Sequence, residues 1–420
     1  MRVAHGALLN LAGHGAPLAA ALFAVPALIE ALGTERFGFL ALAWALVGYV
    51  SLFDLGLGRA LTRVVAERLG TPREDGLPEL AQTALALTFA LGAMAGVLVY
   101  LTASWVCERL LKLPPALVPE AVVALKVLAL SLPLVTLTAA LRGLLEAGKR
   151  FDWVNGIRVP LGVLTFVAPL AVSMATPHLA ALCAALAVLR VLALAAHWAA
   201  CARLMPALAR PGMPRKQAAA EMLGYGAWLT VSNVVGPLMV YVDRFVIGAM
   251  LSVAFVAYYT APQEAITRLW TIPAALTGAL FPAMASAGAV AARELYRKGV
   301  LVILTSAVPT ALAAGLFAPQ WLRLWLGEEF AMQSAGAARW LAFGVAVNCL
   351  AHIPFTLLQA RGRADLTGKL HLAELPFYVV LLVVLVGSVG IGGAAIAWSA
   401  RCVVDALALF LLAGRELRRA

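Results

Sequence analysis

Four charged side chains in the second half of the sequence are spaced so that they could act together. Asp243 and Arg244 are adjacent, and Glu264 and Arg268 follow about 20 residues later. Residues four apart share one face of a helix, so Glu264 and Arg268 can pair, whereas adjacent residues point about 100° apart. Carboxylates and arginines in such a group can bind an anion or support proton-coupled switching. Which of these is feasible depends on the medium around them.

The chain around these charges is far more apolar than a soluble domain of this size. Hydrophobic residues make up 63% of the 420 residues and charged residues only 13%, and the mean hydropathy is +0.92. Segments such as 80–107 and 375–400 contain no Asp, Glu, Lys or Arg. Each is long enough for the roughly 20 apolar residues with which a helix crosses a bilayer. The sequence therefore predicts an all-α polytopic membrane protein.

Charged or Gly/Pro-rich breaks divide the chain into about 12 transmembrane helices. The first serves as its own signal, because it is as long as a full span and more spans follow it. The predicted spans are 6–31, 37–58, 80–103, 118–141, 159–175, 179–202, 224–250, 254–281, 299–318, 336–358, 372–389 and 392–413.

The basic residues predict the orientation of these spans. Of the 32 Lys and Arg residues, 22 lie in the termini and five longer loops that share one side, and five lie on the other side. By the positive-inside rule both termini are cytoplasmic. The net charge of +11 thus reflects topology, and no basic domain is present to bind nucleic acid.

An internal repeat predicts two similar halves. A shift of 220 residues brings "GALLNLAGHGAPLAAAL" onto "GAWLTVSNVVGPLMVYV", with Pro17 on Pro237, and brings Trp105 onto Trp325. We therefore expect two pseudo-symmetric six-helix bundles. The N-terminal bundle is predicted to span residues 1–205, the cytoplasmic linker 206–222, and the C-terminal bundle 223–420. Paired bundles are an arrangement that transporters use.

Several stretches resemble one family of transporters. They are "YVDRFVIGAMLSVAFVAYYTAPQEAITRLWTIPAALTGALFPAMA", "LGTERFGFLALAWALVGYVSLFDLGLGRALTRVVAE", "LRGLLEAGKRFDWVNGIR" and "LQARGRADLTGKLHLAELPFY". The chain is similar in these stretches to bacterial polysaccharide and O-antigen flippases, which belong to the multidrug/oligosaccharidyl-lipid/polysaccharide exporter superfamily. The resemblance covers most of the chain, in register with the predicted spans.

This resemblance implies a flippase that moves an oligosaccharide carried on undecaprenyl diphosphate across the bacterial inner membrane by alternating access. The implied partners are membrane lipids, a polysaccharide polymerase and glycosyltransferases, and no cofactor is implied. The alternative is a cation-coupled exporter of drugs or other small molecules with the same fold. An enzyme is disfavoured, because the sequence has no Ser/His/Asp, phosphate-loop or metal constellation and no large extramembrane domain. The five cysteines are scattered without a CxxC pair.

A lipid diphosphate needs positive charge along its path, and arginine matches phosphate oxygens well. We predict that Asp243, Glu264 and Arg268 form a charged cluster in the second bundle, with one of Asp243 and Arg244 facing a crevice. The competing interpretation makes Asp243 part of a structural ion pair and lets Arg244 reach the headgroups. The candidate transport residues are Arg268, Glu264, Asp243, Arg244, His14, Asn233, Lys126 and Arg59. Further charges inside spans are Arg190, Arg401, Glu30, Asp54 and Asp405.

Overall fold

The computed structural model describes residues 2–50, 61–62, 65, 76–209 and 227–419. These residues are almost entirely helical, and no strand occurs within them. The helices are α1 Arg2–Val50, α2 Leu77–Trp105, α3 Val118–Ala147, α4 Phe151–Ser173, α5 Leu179–Leu204, α6 Ala227–Met250, α7 Val253–Thr267, α8 Thr271–Ser286, α9 Ala289–Thr305, α10 Ala307–Leu316, α11 Ala318–Leu326, α12 Glu328–Ala360, α13 Ala364–Val389 and α14 Ile391–Arg419.

These helices give the protein its membrane-spanning character. Within the described ranges, nine helical segments are long and apolar enough to cross a bilayer. The predicted spans all overlap helices, although residues 51–58 of the second span and 224–226 of the seventh lie outside the described part. Two of the predicted spans are joined within α1, where the backbone leaves the helical conformation at Gly33 (φ 74°, ψ 166°). Glycine adopts this positive φ without the clash that a Cβ would cause.

The predicted span 254–281 is not one continuous helix. It consists of α7 and α8, joined by a 3₁₀ turn at Arg268–Trp270. The Thr271 hydroxyl donates to the Arg268 carbonyl (2.9 Å), and Pro273 cannot donate the backbone bond that a continuous helix would need there. This break places Arg268 at the end of a helix inside the span.

The chain divides into two compact units, Met1–Val234 and Val235–Ala420. In the first unit α2 and α3 pack closely, and the Thr136 hydroxyl donates to the Thr88 carbonyl (2.9 Å). The predicted six-helix bundles and the linker 206–222 stay predictions, because residues 210–226 lie outside the described part.

One carboxylate joins three elements of the first unit. Glu120, in the first turn of α3, pairs with Arg36 of α1 (3.4 Å). It also accepts the backbone N–H of Leu179, the first residue of α5, and the His178 ring lies 3.5 Å from it. A carboxylate at a helix N-terminus satisfies an unpaired N–H and interacts favourably with the helix dipole. Glu120 therefore fixes the start of α5 relative to α1 and α3.

In the second unit, α12 and α14 approach each other closely at Gly344. A Cβ at Gly344 would lie 2.6 Å from the Trp398 ring and 2.7 Å from Ser399 Oγ. The Ser399 hydroxyl donates to the Trp340 carbonyl on α12 (2.6 Å). Glycine at this position therefore permits the contact between the two helices.

We expect Gly344→Ala to destabilise the protein by about 1–3 kcal/mol, the usual cost of overpacking. The control is Gly336→Ala on the same helix, where an added Cβ meets no atom within 4 Å. Thermal unfolding of both variants in detergent should show a lower midpoint for Gly344→Ala alone. Equal midpoints would contradict the assignment of Gly344 as a close contact.

Candidate functional site

Asp243 lies in the interior of the second unit with no exposed surface (0%). Its carboxylate accepts hydrogen bonds from the Tyr259 hydroxyl (2.6 Å), the Gln263 amide (3.1 Å) and the backbone N–H of Arg244 (2.8 Å). Tyr259 and Gln263 are both on α7, which returns from the turn after α6. These donors offset the cost of burying a carboxylate. Because two of them are on α7, Asp243 fastens α7 to α6.

Arg244 makes a second connection between the same two helices. Its Nε donates to Gln263 Oε1 (3.0 Å), and its Nη2 donates to Glu264 Oε1 (2.7 Å). The guanidinium also lies over the Tyr241 ring, 5.2 Å from its centroid. Arg244 is only 3% exposed. The expectation that one of Asp243 and Arg244 faces a crevice is wrong, because both are buried and both bind α7.

Glu264 and Arg268 form the accessible layer of this group. Their side chains are 41% and 36% exposed, and Arg268 Nη2 lies 3.3 Å from Glu264 Oε2. Glu264 thus has two arginine partners, the buried Arg244 and the accessible Arg268. The four charged residues lie next to one another in the structure, arranged as a buried pair and a partly exposed pair.

The remaining candidate residues do not join this group in the described structure. Lys126 lies in the first unit, with its ammonium 5.3 Å from the centre of the Tyr100 ring. The side chains of His14 and Asn233 are not among those described, and Arg59 lies outside the described residues. Their roles stay predictions.

A second polar site lies within the same unit. A cavity of about 250 Å³ is lined by side chains of α6, α12, α13, α14 and the 3₁₀ turn. Its polar lining residues are Trp270, Asn348, His352, His371, Arg401 and Asp405. Arg401 and Asp405 are only 8% and 4% exposed.

The sequence contains a signal for this cavity that spacing alone could have revealed. Arg401 and Asp405 are four residues apart in the last span, as Glu264 and Arg268 are in the eighth, so they share a helix face. Glu374 follows His371 by three residues on α13 and is also buried. Within the described ranges, no group of three or more His, Cys, Asp or Glu side chains is placed to hold a metal ion.

Comparison with known sequences identifies the family. The profile of the family described as "Polysaccharide biosynthesis protein" matches residues 3–287, more than half of the chain. The chain belongs to this polysaccharide biosynthesis family. A relative from Shigella flexneri, described as a candidate O-antigen transporter, is 30% identical over 414 residues, which cover 97% of both chains. The protein is accordingly a membrane transporter rather than an enzyme.

Solved structures show the fold of this family member. A multidrug resistance transporter of the MATE family, solved in an inward-facing conformation, superimposes with a TM-score of 0.79 at 16% identity and 97% coverage of this chain and 98% of its own. A MOP superfamily transporter from Pyrococcus furiosus gives a TM-score of 0.71 at 16% identity, with 98% and 94% coverage. The chain has the all-α fold of these transporters.

Substitution in the buried pair should lower the stability of the protein. We expect Arg244→Gln to lower stability by about 1.5–3 kcal/mol, because buried charge-assisted hydrogen bonds are lost while Glu264 keeps Arg268. The control is Arg323→Gln, which removes an exposed arginine paired with Glu328 and should change stability by less than about 1 kcal/mol. Thermal unfolding in detergent measures both. A stable Arg244→Gln protein would contradict the structural role of the buried pair.

Proposed function

We propose that this transporter is a flippase for an oligosaccharide linked to a lipid diphosphate, moving it across the bacterial inner membrane for surface polysaccharide synthesis. Membership in the polysaccharide biosynthesis family and the resemblance to a candidate O-antigen transporter support this substrate class. We place both termini in the cytoplasm, on the distribution of basic residues. The two predicted bundles alternate access to the two sides of the membrane. Polymerase and glycosyltransferases are its proposed partners.

The observation that carries this proposal is the double pairing of Glu264. Because Arg244 holds Glu264 at 2.7 Å, Arg268 can leave its longer contact with Glu264 (3.3 Å) without stranding that carboxylate. An arginine that is accessible and releasable can bind a diphosphate through its planar fork of donors. Asp243 does not compete for Arg268, since its carboxylate already accepts three hydrogen bonds.

The four charged residues then have different parts in transport. Arg268 contacts the diphosphate, and Glu264 receives Arg268 again when the substrate leaves. Asp243 and Arg244 act indirectly, by holding α6 and α7 in the arrangement that presents the other two. His14, Asn233, Lys126 and Arg59 are proposed as further contacts along the path. The first three would supply polar groups inside the membrane, and Arg59 a cation at its edge.

Replacing Arg268 tests this assignment. We expect Arg268→Gln to reduce surface glycan by at least about tenfold at equal expression, the factor given by about 1.4 kcal/mol. The matched variant Arg268→Lys keeps the charge but not the fork, so its export should be intermediate. Arg323→Gln should export normally. Unchanged export by Arg268→Gln would remove this residue from the mechanism.

A deletion strain tests the function as a whole. We expect the strain to accumulate lipid-linked oligosaccharide on the cytoplasmic face of the inner membrane and to lose surface glycan, with both restored by the intact gene. Accessibility of the lipid-linked glycan to a lectin in spheroplasts and in inverted vesicles reports on which face it lies. Normal surface glycan combined with increased sensitivity to cationic drugs would instead support the exporter alternative.

A further inference from the structure

The cavity beside α14 lies well inside the membrane-spanning part of the second unit. Arg401 is the eleventh residue of α14, which places it about 15 Å along the helix from its first residue. Asn348 and His352, on α12, are also far from the ends of their helix. At about 250 Å³, the cavity is somewhat smaller than the roughly 300–1,000 Å³ of drug-sized pockets. A ligand of the size of a single sugar ring fits this volume.

Buried polar atoms around this cavity lack partners among the described residues. Trp270 Nε1, Arg401 Nε, His371 Nδ1 and Asp405 Oδ1 are all inaccessible, and none has a hydrogen bond. Arg401 and Asp405 lie one turn apart on the same helix, yet these two atoms are not bonded to each other. Asp405 Oδ1 lies 3.6 Å from His371 Nε2, beyond hydrogen-bonding distance. An unsatisfied buried polar group costs about 1–3 kcal/mol, so a ligand with both donors and acceptors favours side-chain rotations that bring these atoms to the cavity surface.

The charges at the cavity favour a neutral ligand over an ionic one. Arg401 contributes one positive charge to the lining and Asp405 one negative charge, and these cancel. Glu374, buried nearby, interacts electrostatically with both of them, and its two carboxylate oxygens have no hydrogen-bond partner in the described structure. A diphosphate would bring more negative charge than the single Arg401 can offset beside Asp405, so the diphosphate does not belong in this cavity.

The lining also presents flat aromatic surfaces. The His371 and Phe355 rings stack nearly parallel, with centroids 5.9 Å apart and an interplanar angle of 12°. Trp270 also lines the cavity and packs against Trp398, with ring centroids 6.2 Å apart. A sugar ring has hydroxyls at its edge and C–H groups on its faces. It would match planar polar side chains and aromatic rings at the same time, which water alone would not.

We propose that this cavity is a binding site for one neutral sugar residue, with the side chains of Arg401, Asp405 and Trp270 rotating so that their unpaired polar atoms, inaccessible without the ligand, reach the sugar hydroxyls. This site would hold part of the glycan of the transported substrate, so its physiological meaning rests on the proposed flippase function. The site is distinct from the Glu264 and Arg268 pair, which would bind the diphosphate.

The test is direct sugar binding by the full chain in lipid nanodiscs. Saturation-transfer difference NMR is recorded with D-glucose, D-galactose, L-rhamnose and N-acetyl-D-glucosamine, each at millimolar concentration. We expect transfer to at least one of these sugars. Absence of transfer to all four from the folded protein would overturn the proposal, since the cavity would then hold only water.

Two substitutions locate any binding in the cavity. Asp405→Asn keeps the side-chain size and removes the charge, and Trp270→Phe keeps a ring and removes the N–H donor. Each should weaken sugar binding by about tenfold. The matched controls are Asp365→Asn, at the start of α13 in a partly exposed ion pair with Arg363, and Trp340→Phe, an exposed tryptophan outside the cavity. Transfer that is equal in cavity and control variants would overturn the proposal.

Further measurements separate the possible causes of failure. Thermal unfolding of each variant identifies misfolding, and if one cavity variant is unstable the other still decides the result. Binding of tetraphenylphosphonium that depends on Asp405, without sugar binding, would overturn the proposal in favour of a cation site. The proposed flippase function fails if the deletion strain shows normal surface glycan. The sugar site alone fails if that strain loses its glycan but purified protein binds no sugar.

Discussion

The arrangement of the second unit depends on the hydrogen bonds that compensate the burial of the Asp243 carboxylate. The donors are Tyr259, Gln263 and the next backbone N–H. Leaving such a group uncompensated would cost several kcal/mol. The returning helix α7 is thereby fixed against α6, and the position of every polar group on α7 follows from that contact. Arg244 uses the same helix pair to reach Glu264.

This constraint separates residues that hold the structure from residues that can bind a ligand. The buried pair Asp243 and Arg244 has few ways to change partners, whereas Glu264 and Arg268 are accessible. Tyr378 interacts electrostatically with both Asp243 and Arg401, so the polar interior extends from the charged group toward the cavity beside α14. The two sites differ in what they offer: one a releasable cation, the other a balanced set of donors and acceptors.

Hydropathy predicted the helical spans well, because inside a bilayer a helix is one of the few structures that satisfies every backbone hydrogen bond. The break at Arg268 was not predicted, since a 3₁₀ turn inside an apolar run leaves no trace in mean hydropathy. Helix spacing predicted that Glu264 and Arg268 could pair. It did not predict that neither Asp243 nor Arg244 faces a crevice, because a side chain as long as arginine can reach around a helix. The spacing of Arg401 and Asp405 indicates one shared helix face, but the other polar residues of the cavity lie on three further elements, and only three-dimensional packing brings them together.

The contacts of Glu120 have a consequence for how the first unit can move. One carboxylate binds Arg36 on α1 and the first backbone N–H of α5, and belongs itself to α3. Sliding any of these helices past the others at this end would break a charge-assisted bond, whereas rotation of all three together would break none. Glu120 therefore holds α1, α3 and α5 together at this end. Rotation of the three helices as one body is then their least costly large movement, and bending within the group is expected at the opposite ends of the helices.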